Sequence, residues 1–446
     1  MCKQTQTDQP PDRLHASGLS SSYTIGDLFR DYGEQYFSIY KPTLQQIKLI
    51  RSIRVCRTPA LGGRVITCNK CGTAHFIYNS CGNNQCMICQ SIKREQWLDK
   101  LKNKLLNVPY CHVTFTLPHQ LNGLARANQA LIYSLMLKVS WMTIKTVCKD
   151  DRNVGALPGM ISVLHTFGSA CNYHIHVHAL VTFGGVTKDG TWKFPSSNTR
   201  LAPYRHMCKT FRDLFINQLN KHFDKGEFSF HLPSQDIIDG IKDKRWVVHS
   251  TRPSMDTNII ENYLARYINR IAVSQSRIKY AKESKEVHIL YNDYKNQAPN
   301  QAAPKAIKTL DPLVAIDQII QHTLPRGFQK SRSYGIHNAS NSAKHNIANQ
   351  IKRNGSTIRT VMEIVTHLMG LEKMKCQHCG SDDFTITDIK CYKNYIATYL
   401  KDLHERGPPN EEKTYHPAII NTGTLCSSDS AAMPYHNAIQ DKSTFY

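Results

Sequence analysis

The spacing of apolar residues along the chain predicts strands that alternate with helices. Short apolar runs typical of buried strands occur over 112–117, 159–167, 172–181 and 287–294. Apolar residues at helical spacing favour helices over 25–40, from Ser91 onward, over 131–147 and over 313–322. Gly184 and Gly185 predict a turn after the third strand. This order of elements is typical of an α+β fold.

Three histidines stand at alternate positions in the third of these strands. The period of a strand places the imidazoles of His174, His176 and His178 on one face. Neighbouring rings on that face lie about 7 Å apart, so two of them can close on one ion. The alternative is a stack of histidines on a solvated sheet face. Because the histidines are interleaved with Ile175 and Val177, we predict a metal site.

A pair of tyrosines lies further along the chain, at Tyr263 and Tyr267. Apolar residues around them keep a helical period: Ile260, Leu264, Ile268 and Ile271. The two phenols then share one helix face, a single turn and about 6 Å apart. Core packing is the ordinary role of such a pair. Beside a strand of metal-binding histidines, we predict that the phenols take part in chemistry.

Metal and phenol together suit one reaction. A divalent ion polarises a phosphodiester while an aligned tyrosine oxygen attacks phosphorus, which gives a covalent phosphotyrosine. The protein link conserves the energy of the broken bond, so a freed 3′-hydroxyl can reverse the reaction on another strand. We expect Mg²⁺ or Mn²⁺, because phosphate oxygens and waters would fill the open positions.

Cysteine spacing predicts a second kind of metal site. Two Cys-x2-Cys pairs are separated by fourteen residues, a spacing typical of a tetrahedral structural zinc site rather than of free thiols. The predicted zinc ligands are Cys68, Cys71, Cys86 and Cys89. Nearby residues available as alternate ligands or for a second site are Cys56, His75 and Cys81. A third pair, Cys376 and Cys379, offers further zinc ligands for an additional site; its partners are not evident in the sequence, although Cys391 and His378 are near it.

Composition indicates a polyanionic partner. The formal net charge is +22 over 446 residues, with a pI near 9.4, which suits contact with DNA phosphates. Aromatic and basic residues mix over 326–334, as in a segment that stacks bases, or in an ordinary solvated loop. We find no apolar run that approaches the roughly 20 residues of a membrane span. The first residues lack the apolar core of a secretory signal, so we expect a cytoplasmic, nucleoid-associated protein with reduced thiols and no small-molecule substrate.

The strand His-hydrophobic-His with the helix Tyr-x3-Tyr resembles the HUH endonuclease superfamily, and specifically the two-tyrosine rolling-circle transposases of bacterial insertion sequences. Further landmarks of that family follow in order over 56–63, 78–81, 112–118, 266–270, 325–328 and 334–335. The likeness covers about residues 23 to 380. The family has a basic residue, a His and a Pro where this chain has Asn84, Gln85 and Met87, so no role is transferred to those positions.

The resemblance implies an antiparallel RRM-like HUH nuclease sheet with helices, preceded by a small zinc ribbon. It implies a transposase that nicks single-stranded element ends, holds the 5′ phosphate on Tyr263 or Tyr267, and transfers the strand to a target. His176 and His178 match the superfamily strand, because Ala-Leu-Val follows them, and we predict His174 as the third ligand. His165 is the alternative third ligand, and His112 on the neighbouring predicted strand could also face the site, but for both we favour hydrogen-bonded structural roles.

Composition and resemblance together divide the chain into five parts. Polar tails are expected to be disordered over 1–22 and 406–446. Between them we predict a zinc-binding DNA-recognition domain over 23–104, an HUH catalytic domain over 105–300, and a C-terminal basic region with the third cysteine pair over 301–405. Two alternatives remain open. One is a non-catalytic zinc-dependent DNA-binding protein, and the other is a replication initiator or relaxase with the same nicking chemistry.

Overall fold

The computed structural model describes residues 19–20, 23–228, 234–256, 260, 272–298, 301–338, 359–360, 363–364, 375–376 and 378–389. The helices are α1 (Ile25–Ile39), α2 (Leu44–Val55), α3 (Gln90–Lys102), α4 (Asn122–Ala127), α5 (Gln129–Lys149), α6 (Tyr204–Asp224), α7 (Ser234–Lys242) and α8 (Pro312–Ile320). The strands are β1 (Leu19–Ser20), β2 (Gly63–Cys68), β3 (Ala74–Tyr78), β4 (Tyr110–Thr116), β5 (Gly159–Phe167), β6 (Tyr173–Thr182), β7 (Gly185–Val186), β8 (Trp192–Lys193), β9 (Val247–Ser250), β10 (Ile278–Ala281), β11 (Glu286–Asn292), β12 (Lys305–Leu310), β13 (Ser331–Gly335) and β14 (Phe384–Ile389). Helices accompany antiparallel sheets, as predicted for an α+β fold.

A five-stranded antiparallel sheet in the order β13-β5-β6-β4-β9 forms the centre of the described residues. The strands predicted over 112–117, 159–167 and 172–181 are confirmed as β4, β5 and β6. All of β5 is buried, and in β6 only His174 is less than fully buried. Such continuous burial requires cover on both faces of the sheet.

Helices α5 and α6 cover one face. Phe115, Leu164 and Val177 of the sheet belong to the same apolar cluster as residues of both helices. By length and composition alone, α5 is apolar enough to cross a membrane, contrary to the expectation that no run reaches this length. Much of the helix is buried in that cluster, so its apolar composition is that of a core helix.

The opposite face packs against α3 and the segment that follows it. Ile161, Val163 and Leu180 share an apolar cluster with Leu98 and Leu101 of α3 and with Ile260. Val163 lies directly opposite His178 across β5 and β6, and cross-strand partners share a face. This cluster therefore adjoins the histidines.

A second sheet, in the order β1-β10-β11-β12, is covered by α1, α2 and α8. The predicted helices over 25–40 and 313–322 and the predicted strand over 287–294 are confirmed here. The first helix begins at a capping box in which Thr24 and Asp27 bind each other's backbone amides. Between α1 and β10, the hydroxyls of Tyr32 and Tyr280 lie 2.9 Å apart in a buried hydrogen bond.

Strands after residue 301 complete all three larger sheets. In antiparallel pairings, β12 joins β11, β13 joins β5, and β14 joins β2 in the sheet β14-β2-β3. These pairings cross the predicted boundary at residue 300. Of the predicted tails, only Leu19–Ser20 is described, as the strand that pairs with β10.

Candidate functional site

Two adjacent strands bring three histidines together. His176 and His178 lie on β6, and His165 of β5 stands directly opposite His176 in the register. One ring nitrogen from each residue lies within 4.8 Å of the other two, and all three side chains are buried. Buried imidazoles at this separation can converge on a single ion.

The predicted third ligand, His174, lies outside this group of three. The ring of His174 is centred 5.0 Å from that of His176, but His174 is only half-buried and does not join the group of mutual neighbours. Cross-strand neighbours in a sheet are closer than residues two positions apart on one strand. The structure therefore groups His165, rather than His174, with His176 and His178, and the identity of the third ligand stays a prediction.

Hydrogen bonds orient the rings on β6. Nδ1 of His176 lies 3.0 Å from the carbonyl oxygen of His174. A carbonyl only accepts, so this nitrogen carries the proton and the lone pair of the neutral ring is on Nε2. An imidazole held in this way is typical of a metal ligand.

Two polar side chains hold His178 in the same manner. Its Nδ1 lies 3.0 Å from Nε2 of His112 and 3.3 Å from Oγ1 of Thr114, both on β4. Burial is the main cause that lowers the pKa of His112 to about 2, so this ring is neutral near pH 7. The predicted hydrogen-bonded role of His112 agrees with these contacts. Sequence reasoning missed Thr114, which carries no signal beyond its place on the strand.

Tyr263 and Tyr267 lie outside the described residues. The last described residue before them is Ile260, which is buried in the cluster with Val163 and Leu180 on the histidine side of the sheet. After them, Ala272 lines the same cavity as Phe167, whose ring stacks at 5.0 Å on His165. Ile260 therefore packs on the histidine side of the sheet, and Ala272 lines the cavity beside Phe167.

That cavity has a volume of about 510 Å³ and lies between the N-terminal helices and the central sheet. Its lining includes Trp97, His322, Arg326 and Lys330. Burial lowers the pKa of Lys330 to about 8, so the group is still mostly cationic at pH 7. A cleft with cationic and aromatic lining suits a nucleic-acid strand.

The aromatic residues of the segment 326–334 are engaged within the fold. The ring of Tyr334 stacks on Trp141 at 5.4 Å, and that of Phe328 meets Tyr133 edge-on at 5.8 Å. Both partners belong to α5, so these rings support the core. The expectation that they stack bases is therefore not supported, whereas Arg326 is exposed.

The cysteines form two groups. The structure does not bring together the predicted set of Cys68, Cys71, Cys86 and Cys89, and a single site from these four is wrong. One group joins the second pair to a cysteine at the end of α2 and to one that follows β3: Cys56, Cys81, Cys86 and Cys89. The other joins the first pair to the C-terminal pair: Cys68, Cys71, Cys376 and Cys379. Strand pairing is the reason, because β14 lies against β2 and brings the C-terminal pair beside Cys68.

Sulfur separations in both groups suit zinc. They are 3.7 Å between Cys81 and Cys89, and 3.5 Å between Cys68 and Cys379. Zn–S bonds of about 2.3 Å in a tetrahedron separate the sulfurs by about 3.8 Å. Of the candidate His75 only the backbone is described, as part of β3.

Comparisons with known proteins agree with this arrangement. Residues 159–345 match a family model described as "Putative transposase", and residues 28–117 match one described as "Transposase zinc-binding domain". "Putative transposase y4qJ" of Sinorhizobium fredii is 32% identical over 322 residues, which are 70% of this chain and 79% of that protein. "Transposase for insertion sequence element IS801" of Pseudomonas savastanoi pv. phaseolicola is 25% identical over 297 residues, 65% of this chain and 70% of that protein.

No solved structure matches the chain. The match to the "Putative transposase" family spans β5, β6 and β13, which carry or flank the histidine group. The match to the "Transposase zinc-binding domain" family spans one complete cysteine group. A protein of this kind acts on DNA, in agreement with the strongly basic composition. The chain belongs to the IS91 family of insertion-sequence transposases, and it carries the zinc-binding domain of that family at its N-terminal end.

Proposed function

We propose that this transposase nicks single-stranded DNA at the ends of its element with Tyr263 or Tyr267, and transfers the strand through a 5′-phosphotyrosine. The observation that carries the proposal is the buried group of His165, His176 and His178 on the central sheet. Three convergent, buried imidazoles in a DNA-acting protein favour a metal centre over a structural cluster.

The residues fit a divalent ion. The hydrogen bond from His176 to the backbone places its lone pair on Nε2, and His112 and Thr114 contact Nδ1 of His178. Mg²⁺ or Mn²⁺, when bound by these imidazoles, supplies Lewis acidity to a phosphodiester oxygen. We favour an open site for Mg²⁺ or Mn²⁺ over a closed site with four protein ligands for zinc, because three protein ligands leave positions for phosphate and water.

The covalent step needs no further reactant. A phenol oxygen forms a bond to phosphorus as the bond from phosphorus to the 3′ oxygen breaks. The phenol proton passes to solvent, and the departing 3′ oxygen gains a proton to become a hydroxyl. Attack by a 3′-hydroxyl on the phosphotyrosine reverses these changes and frees the phenol. Two phenols allow one covalent link to form before the other is released.

The strand order supports an RRM-like HUH sheet for this chemistry. Without β13, the central sheet is built from β4, α5, β5, β6, α6 and β9 in chain order. The last of these strands lies beside the first, and the hairpin strand β6 lies between β4 and β5. This is the βαββαβ arrangement of a split βαβ fold. The cleft beside Phe167 offers a path for a strand toward the histidines.

The test is covalent capture of oligonucleotides from the ends of the element, with and without Mg²⁺ or Mn²⁺. We expect an adduct that requires metal, and none from the double variant Tyr263→Phe/Tyr267→Phe, because Phe removes only the attacking oxygens. Either single variant should still form an adduct but should not complete transposition. The double variant His176→Ala/His178→Ala should lose nicking and keep its zinc.

Peptide mass spectrometry identifies the residue that carries the DNA. An adduct on another residue, for example Tyr280, would overturn the mechanism. Binding of the oligonucleotides without any adduct would favour a non-catalytic DNA-binding protein. Cleavage without strand transfer would favour an initiator or relaxase.

A further inference from the structure

The cysteine group at Cys68, Cys71, Cys376 and Cys379 joins residues about 300 positions apart in the chain. Sγ of Cys68 lies 3.5 Å from that of Cys379, and Sγ of Cys71 lies 3.6 Å from that of Cys376. A disulfide needs about 2.05 Å. The observed spacing is instead close to the separation of sulfurs around one tetrahedral zinc ion.

Each of the two Cys-x2-Cys pairs lies in its own turn, and the two turns have matching hydrogen bonds and backbone conformation. The amide of Gly72 donates to the carbonyl of Cys68 over 2.8 Å, and the amide of Gly380 donates to the carbonyl of Cys376 over 2.8 Å. The two glycines have φ values of 72° and 73°, a conformation that residues with a Cβ rarely adopt. Two matching turns that present their sulfurs to each other are typical of a zinc ribbon.

Strand pairing holds these loops at one end of the small sheet. In the register of β14 with β2, Phe384 lies opposite Cys68. Next to this pair, the backbone amide of Asn69 donates to the carbonyl of Asp383 over 3.1 Å, and the Asn69 side chain donates to the Asp383 carboxylate over 2.7 Å. The register of β14 with β2 therefore fixes the position of the C-terminal cysteine pair beside Cys68.

Apolar packing contributes little to the stability of the small sheet β14-β2-β3. Ile77 of β3 and Ile386 of β14 are 43% and 53% exposed. Among the described residues, none from β14 belongs to the three apolar core clusters, and neither do these four cysteines. A small sheet with an exposed apolar face needs another source of stability, and metal binding is the usual one in such modules.

We infer that Cys68, Cys71, Cys376 and Cys379 bind a zinc ion of their own, which joins the C-terminal segment to the N-terminal zinc-binding domain. Binding releases the thiol protons to solvent and leaves four thiolates on the ion. The matched zinc-binding region ends at residue 117 and the other matched region at residue 345, so Cys376 and Cys379 lie beyond both. The inference does not depend on the nicking chemistry.

Zinc content of the full-length protein tests whether the two pairs share one ion. Relative to wild type, Cys68→Ser/Cys71→Ser and Cys376→Ser/Cys379→Ser should each lose one zinc per chain. The quadruple variant should also lose only one, because both pairs belong to one site. Loss of two in the quadruple variant would overturn the inference, as would retention of all zinc in either double variant. Cys208→Ser, at a buried thiol of α6 outside both groups, is the control and should lose none.

Alkylation with N-ethylmaleimide, mapped by peptide mass spectrometry, gives a second measurement. In Cys68→Ser/Cys71→Ser, the distant Cys376 and Cys379 should become reactive while Cys86 stays protected. In the reciprocal variant, Cys68 and Cys71 should become reactive. Continued protection of the remaining pair in either variant would contradict a shared site. Exposure of Cys86 in both variants would contradict a second site that is separate from the first.

Discussion

The three histidines lie within two strands that are hydrogen-bonded along their length, whereas the cysteines lie in turns, near helix ends or, for Cys68, at the last residue of a strand. The sheet sets the distances among the histidines before any ion binds, and every one of the three is buried. The second cysteine group includes the exposed Cys71 and lies outside the apolar clusters. Loss of metal should therefore remove activity at the histidine site and local folding at the cysteine sites.

The largest effect is expected at the first cysteine group. Cys86→Ser should release one zinc per chain and unfold the region around residues 50–95, because zinc binding supplies on the order of 10 kcal/mol in small modules. Zinc content and hydrogen exchange over this region are the measurements. Cys208→Ser should change neither. Full zinc content in Cys86→Ser would remove this group from the metal sites.

A smaller effect, on activity alone, should separate His165 from His174. His165→Ala should lower the nicking rate at least about 100-fold, since a lost ligand costs several kcal/mol of Lewis-acid stabilisation. His174→Ala should lower it less than about threefold. The melting temperatures of both variants should stay close to wild type. A larger loss in His174→Ala than in His165→Ala would restore His174 as the third ligand.

The smallest effect is expected from His112, a positioning residue that contacts His178. His112→Ala should raise the metal concentration for half-maximal nicking about tenfold, the lower limit for loss of an outer partner. At saturating metal the rate should recover, which a defect in folding would not allow. His206→Ala, at an exposed position on α6, is the control. An unchanged metal dependence in His112→Ala would show that the contact does not orient the ligand.

Sequence reasoning succeeded where a pattern is local. Alternation of polar and apolar residues located β6 and the shared face of its histidines, and apolar runs located β4 and β5. It did not place His165 beside His176, because the register between β5 and β6 leaves no trace in the spacing of either strand. Tyr263 and Tyr267 stay a prediction.

The grouping of cysteines failed for a related reason, although a signal was present. Spacing identifies each Cys-x2-Cys pair but does not say which pairs meet, and the partners of Cys68 and Cys71 lie near the other end of the chain. A glycine follows both Cys71 and Cys379, whereas Gln90 follows Cys89. The shared glycine, which the turn requires, marks the two pairs that fold alike.

The pairing of β14 with β2 sets an order of events during synthesis. At roughly 5–20 residues per second, the ribosome needs on the order of 15–60 s between Cys71 and Cys376. Throughout that time, the first strand of this sheet is made but lacks one neighbour. A copy of the gene interrupted between these points would yield a chain with β2 unpaired on one side, open to pairing with other chains. The sheet thus distinguishes a complete translation product from a truncated one.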